Sequence, residues 1–313
     1  MKEHFLDFER PLAEIIGKIE ALQAASNEDP ELLGQIEKLR KEEEKLKNKI
    51  FSKLSTWQKV QVARHPQRPH TSDSIKAVFS DFIELHGDRQ FADDQSIIGG
   101  IAEIEGNSVM VIGHEKGRET EDKVKRNFGM PQPEGYRKAK RLMQLAERFN
   151  LPVITFIDTA GAYPGIEGEE RGQSEAIATN LAVMSKLRTP IIVIITGEGG
   201  SGGALAIGVG DHIAILEHAT YSVASPEACA SIIWRTAEKA SDAAEAMKVS
   251  AQELIKIKIV DEIIKEPLGG AHRDYKEISE SVRSCILKNL GTLLSKPIDD
   301  LLEARYKKLL EIG

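Results

Sequence analysis

"TGEGGSGGALAIGVGD", residues 196–211, is the stretch on which the reading of this chain turns. Five of its first eight residues are glycine. It follows the apolar run "PIIVII" and opens into "ALAIG", so it stands where a buried strand gives way to a short helix. Glycine at that density lets a phosphate, a nucleophile's substrate or a carbonyl oxygen approach the backbone itself. The surrounding chain keeps a helix–strand rhythm. "GYRKAKRLMQLAERFN" reads as a helix and "LPVITFID" as a buried strand. "GQSEAIATNLAVMSKLR" and "TPIIVIIT" repeat the pair, and "HIAILEHA" and "TYSVAS" follow the glycines. This alternation predicts an α/β fold with parallel strands. Upstream, "SIIGGIAEIEG" and "NSVMVIGHE" read as strands joined through "EGN". "SIKAVFSDFIELHGD" before them reads as one amphipathic helix, and residues 227–313 as mostly helical.

Residues 1 to about 60 have a different character. Ile15, Ile19 and Leu22 share one helical face. "AASNEDP" interrupts it, and Asp29-Pro30 is a restart signal. Leu32, Ile36, Leu39, Leu46 and Ile50 then form a near-heptad seam. The expectation is a helical hairpin, 1–62, acting as an interaction arm, followed by a body over 63–313. Two prolines in "RHPQRPHTSD" mark the boundary. A net charge of −7 argues against a nucleic-acid partner. Cys229 and Cys285 stand far apart, which suits neither a disulfide framework nor a cysteine zinc site. The N-terminus has no signal-peptide pattern and no window of about 18 residues is apolar enough to span a bilayer. A cytoplasmic protein without membrane contact is expected.

Three chemistries compete for the glycines. Gly197, Gly199 and Gly202 match a dinucleotide fingerprint, but the helix that follows is short and glycine is dense enough for chance matches. Gly199, Ser201 and Gly203 match a nucleophile elbow, which Asp261 and His272 could complete as a serine hydrolase triad. The third reading is an oxyanion hole made of backbone N–H groups at the helix start: Gly202, Gly203 and Ala204. A second glycine turn supports it. "FIDTAGAYPGIEGEERGQ" puts Asp158, Gly161, Ala162, Tyr163 and Gly165 at the end of the preceding strand. Two such turns line one crevice at the carboxyl ends of parallel strands, whereas an elbow or a dinucleotide site needs one.

Together "DTAGAYPGIEGEERGQ", "GEGGSGGALAIGVGD", "GRETEDKVKRNFGMPQPEGYRKA" and "EPLGGAHRDY" resemble the alpha subunits of bacterial acetyl-CoA carboxylase carboxyltransferases, over essentially the whole chain. The resemblance implies a crotonase-like fold of repeated β-β-α units. It implies carboxyl transfer to acetyl-CoA, giving malonyl-CoA for fatty-acid synthesis, from carboxybiotin delivered by a separate biotin carboxyl carrier protein. Its further implications are a beta-subunit partner in an α2β2 assembly, a biotin carboxylase acting upstream, and zinc in the beta subunit rather than in this chain. No cofactor is expected to be bound covalently and no metal is assigned to this chain. Gly202, Gly203 and Ala204 become the biotin-side hole, and Gly161, Ala162, Tyr163, Gly165, Gly200 and Ser201 shape the pocket. Residues 116–141 hold nine Lys or Arg against four Asp or Glu. Arg118, Lys123, Lys125 and Arg126 are the candidate contacts to CoA or to the carrier. "AMKV" at 246–249 imitates a biotin-attachment motif, but its Ala-rich helical setting is not the hairpin tip that such a lysine needs.

Overall fold

The structure, a computed structural model, describes residues 4–25 and 29–312. Residues 26–28 of the expected interhelical break lie outside it. Helices α1 (Arg10–Ala25) and α2 (Pro30–Phe51) pack against each other along the expected seam. Ile15, Ile19 and Ile36 are buried there, with Leu22, Leu39 and Leu46 packed around them. The Asp29 carboxylate caps α2 by accepting the Glu31 N–H at 2.9 Å. Helix α3 (Thr56–Ala63) sets Val60 against Ala244 and Val249 of the body. The proline-bearing segment behind α3 is anchored. Arg68, only 1% exposed, forks onto Glu266 at 2.5 and 3.0 Å, and its Nε donates to the Thr196 carbonyl at 2.6 Å.

The stretch expected as one amphipathic helix is two elements. Helix α4 (Thr71–Val78) stops, and β1 (Ser80–Glu84) turns away as a strand. β1 pairs antiparallel with β2 (Ile97–Ile104), with Ile83 opposite Ile101. The β2 edge offers a row of unpaired backbone groups, and satisfying them outweighs local helical periodicity. Asp81, at φ 51°, makes the bend. Strand β3 (Asn107–His114) follows through Glu105 and Gly106, both at positive φ, as a two-residue hairpin turn requires.

The rest winds as anticipated. Helices α5 (Thr120–Lys125) and α6 (Pro133–Arg148) precede β4 (Val153–Thr159). Next come α7 (Ile166–Glu170), α8 (Gln173–Lys186), β5 (Ile191–Gly200), α9 (Ser201–Leu205), β6 (His212–Leu216) and β7 (Thr220–Ser222). Then come α10 (Pro226–Trp234), α11 (Ala240–Met247), α12 (Ala251–Lys256), β8 (Glu262–Ile264), α13 (Tyr275–Leu294) and α14 (Ile298–Leu310). The strands form one sheet in the order β1-β2-β3-β4-β5-β6-β8, with β7 also on β5. Pairing is parallel from β3 onward. Every residue of β4 is buried, as fits a strand covered on both faces. β5 runs through "TGEGG", so that part of the glycine stretch is strand and the turn begins only at Ser201. β6 pairs with its first half and β7 with Glu198–Gly200. Among the described residues no helix is long and apolar enough to cross a membrane.

The opposite end of the sheet is tied by Arg305 of α14, 1% exposed. Its guanidinium meets Asp211 at 2.7 and 2.8 Å and the carbonyls of Met184, Leu187 and Thr189 at 2.8–2.9 Å. Asp211 in turn accepts the Ile191 N–H, which pins the starts of β5 and β6. Arg305→Met strands the Asp211 carboxylate and three carbonyls, and is expected to lower the unfolding free energy by about 3–5 kcal/mol in urea titrations.

His65 and His272 stack with ring centroids 3.7 Å apart. Burial pushes His65 down to about 4 and His272 to about 2, and pushes the fully enclosed His114 to about 4. All three are neutral when folded, while the unfolded chain protonates them near 6.5. Stability is therefore complete above pH 6.5 and falls as pH drops toward 4, because only the unfolded state takes up the protons. Unfolding followed at successive pH values is expected to show these three histidines contributing about three protons of uptake over that interval, and total uptake about one proton smaller in His272→Gln.

Candidate functional site

The two glycine turns meet backbone to backbone. β4 ends at Thr159, whose hydroxyl donates to the Gly161 carbonyl at 2.8 Å and accepts the Gly161 N–H at 3.1 Å. This closes the first turn on itself. The second turn, from β5 into α9, lies directly on it. A Cβ on Gly200 would sit 2.1 Å from the Ala160 carbonyl oxygen, and one on Gly203 2.4 Å from the Gly161 carbonyl carbon. No side chain fits at either position. Gly203 and Ala204 are buried, Gly202 is half-buried and Ser201 is exposed. The first N–H groups of a helix have no carbonyl four residues back to bond, and α9 begins where the two turns touch.

The other pocket residues surround this contact. Ala162 packs with Tyr136, Ala176, Ala206 and Ile177. The Tyr163 ring lies over Gly165, where a Cβ would come within 2.3 Å of it. The Tyr163 N–H donates to the Pro131 carbonyl at 3.0 Å, and the Gln173 amide bonds the Pro131 and Tyr163 carbonyls. An apolar cleft of about 600 Å³ opens beside Ser201 and Gly202, lined by Leu205, Tyr221, Val223, Met247 and Leu254. Val223 and, on α10, Ile232 are 83% and 78% exposed, a large apolar display beside a polar site.

Ser201 sits at φ 54°, the left-handed kink that an elbow serine would adopt. Its proposed partners are elsewhere. Asp261 accepts the Ile213 N–H at the start of β6 and pairs with Lys308. Because β5 and β6 run parallel, with Ile192 opposite His212, Asp261 is at the far end of the sheet from Ser201. His272 is stacked on His65. Lys248 of "AMKV" ends α11 at φ 53°.

Of the four basic candidates, three are engaged within the chain. Arg118 pairs with Asp73 and with the Tyr275 hydroxyl, and Arg126 bonds Asp122 and the Gln95 carbonyl. Lys125 reaches Glu121 at 3.0 Å on the exposed side of α5, and Lys123 lies half-buried on the same helix.

A cluster missed in the sequence stands at the ends of β3, β4 and β5. Lys116 Nζ meets Asp158 Oδ1 at 2.6 Å and Glu198 Oε2 at 3.6 Å. Arg64 joins Glu198 at 2.8 Å to Glu227 of α10 at 2.5 Å. Burial opposes the Lys116 ammonium, but Asp158 and Glu198 outweigh it and raise its pKa. Asp158, at the end of β4, bridges two strands by accepting the Glu198 N–H at 2.9 Å. Nearby, His114 is 1% exposed. Charged residues at the carboxyl ends of parallel strands were the available signal.

Residues 5–313 match the family described as acetyl co-enzyme A carboxylase carboxyltransferase-like. The chain belongs to that family. An acetyl-coenzyme A carboxylase carboxyl transferase subunit alpha of Vibrio cholerae serotype O1 is 58% identical over 317 residues, covering 100% of this chain and 99% of its own. The subunit of the same name from Pseudomonas aeruginosa is 57% identical over 314 residues, covering 100% and 99%. Among solved structures, the transcarboxylase 12S core aligns at a TM-score of 0.61 and 18% identity over 74% of this chain. That alignment takes in 42% of the transcarboxylase chain, so this chain spans less than half its length. A Pseudomonas malonate decarboxylase hetero-tetramer aligns at 0.57 and 17% identity, over 69% of this chain and 86% of its own. The fold is thus the crotonase-like one that the carboxyltransferase-like family resemblance implied. The serine hydrolase reading is not favoured.

The packing separates two neighbouring glycines. A Cβ on Gly202 would meet only Ile177 methyl groups at 3.7 Å, whereas one on Gly203 strikes backbone. Gly203→Ala is expected to cost about 10²–10³-fold in carboxyl-transfer kcat, the loss typical of a displaced oxyanion donor. Gly202→Ala should cost far less. Equal losses would mean that the contact between the turns is not what activity depends on.

Proposed function

We propose that this chain is the alpha half of an acetyl-CoA carboxyltransferase, moving a carboxyl group from carboxybiotin to acetyl-CoA and giving malonyl-CoA. The observation that carries the reading is the pair of glycine turns locked together where α9 begins. The reaction breaks the carboxybiotin N–C bond and forms a C–C bond to the acetyl methyl carbon. The proton leaving that methyl is taken by the ureido nitrogen of biotin. Negative charge gathers on two oxygens, that of the thioester and that of the ureido group. The N–H groups of Gly202, Gly203 and Ala204 hydrogen-bond the ureido oxygen, and Gly161, Ala162 and Tyr163 bound the same pocket. Fixed donors need no reorganisation as charge develops, so no side-chain acid or base from this chain is required.

The partners follow the same reading. A beta subunit supplies the thioester side and carries zinc, in an α2β2 assembly. A biotin carboxyl carrier protein, charged by biotin carboxylase, delivers the substrate, with Arg118, Lys123, Lys125 and Arg126 the candidate basic contacts to it or to CoA. No cofactor is attached to this chain, which acts in the cytoplasm. The exposed apolar surface at Leu205, Val223, Ile232 and Ile233 supports coverage by a second subunit. The arm over 1–62 and the catalytic body over 63–313 are the corresponding division of the chain.

The test is carboxyl transfer from malonyl-CoA to biocytin, with this chain alone and with its beta subunit. Activity is expected only from the pair, and Ser201→Ala should retain it. Activity of the lone chain that Ser201→Ala destroys would overturn the reading and make Ser201 a nucleophile.

A further inference from the structure

The β4–β5 ladder changes register just below the glycine turns. Ile157 pairs with Ile195, but Thr159 pairs with Gly199, so β5 carries two more residues than β4 across the step. An unpaired bulge inside a buried sheet leaves backbone groups without partners. Side chains supply them. Asp158 Oδ1 accepts the Glu198 N–H at 2.9 Å, and Arg68 Nε donates to the Thr196 carbonyl at 2.6 Å. The extra length brings Gly200 and Gly203 onto residues 160–162. Asp158 is 3% exposed, and a buried carboxylate needs a counter-charge. Lys116 provides it at 2.6 Å. The lysine has little freedom of its own. Asn127, Phe128 and Gly129 run at φ 46°, 55° and 77°, and this turn presses on its stem: a Cβ on Gly129 would lie 2.5 Å from Lys116 Cγ.

We propose that Lys116 and Asp158 are positioning residues: as a pair they hold the β5 bulge in register, and so keep the backbone donors of Gly202, Gly203 and Ala204 aimed at the reacting oxygen. The inference rests on the carboxyltransferase reading above. Neither side chain touches substrate. Each acts through the Glu198 backbone, and the pair is needed as a unit, because Asp158 without the lysine is a buried charge without its partner, and Lys116 without the aspartate keeps only Glu198 at 3.6 Å, a carboxylate already paired with Arg64.

Lys116→Met, Asp158→Asn and the double variant are made in the full chain and assembled with the beta subunit. Malonyl-CoA to biocytin transfer is measured beside assembly and melting temperature. Each single change is expected to lower kcat by about 10–100-fold, the effect of misplacing catalytic groups by about an ångström, with KM for malonyl-CoA little changed. In the double variant both charges are gone and the asparagine oxygen still accepts the Glu198 N–H. It is expected to recover at least about tenfold in kcat over either single variant. Single variants as active as wild type would overturn the inference. So would a double variant as slow as the singles in a fully assembled complex, since the lysine charge itself would then act on the reaction. If the single variants fail to assemble, the double variant decides alone, by kcat near wild type or far below it. A wild-type pair without transfer activity overturns the functional reading and this inference with it; an active pair indifferent to the changes overturns this inference alone.

Discussion

Two stretches of main chain occupy space that side chains normally keep apart. Gly200 and Gly203 rest on the backbone of residues 160–162, at approaches that any Cβ would forbid. Everything near the site serves that contact. The parallel run from β3 to β5 sets the carboxyl ends of the strands at one level. The bulge in β5 lengthens one strand relative to its neighbour, so the turn that follows it folds over the turn beside it. A carboxylate and a guanidinium, Asp158 and Arg68, satisfy the backbone groups that the bulge releases.

The price of such a site is a set of charges held away from water. The protein meets it with buried ion pairs. Glu266 takes both arms of Arg68 and the N–H groups of His218 and Ala271, and Arg68 outweighs burial to lower its pKa. Arg305 does the same at the other end of the sheet. Buried ion pairs add little net stability over apolar packing, but losing one partner is costly, so they specify register more than they strengthen the fold. The two arginines tie down different strand ends. Arg68 reaches the bulge in β5, and Arg305 fixes where β5 and β6 begin.

The relatives divide the same way. Subunits 57–58% identical cover this chain from end to end, while solved carboxyltransferases and decarboxylases at 17–18% identity keep its architecture. The contact between the turns asks for glycine where the two backbones touch and for strands in the right register.

Local periodicity was enough to read the α1–α2 seam, the buried strands β4 and β5, and the two glycine turns, since each is set by residues within a few positions of one another. The near approach of the turns was inferable from their place on successive strand–helix units. Three things were not legible. β1 was taken for helix, because its pairing to β2 is a contact across the sheet edge and leaves no local trace. Arg64 and Arg68 were read as linker, because a proline-bearing segment looks the same in sequence whether it is solvated or buried. The Lys116–Asp158–Glu198 cluster depends on Gly113 lying beside Phe156 and Thr159 beside Gly199, pairings between residues about forty positions apart. The sequence by itself determined the α1–α2 seam, the buried strands β4 and β5 and where the backbone is bare. The tertiary structure alone decided the register between those strands, and register determines which charges meet and where the bare backbone points.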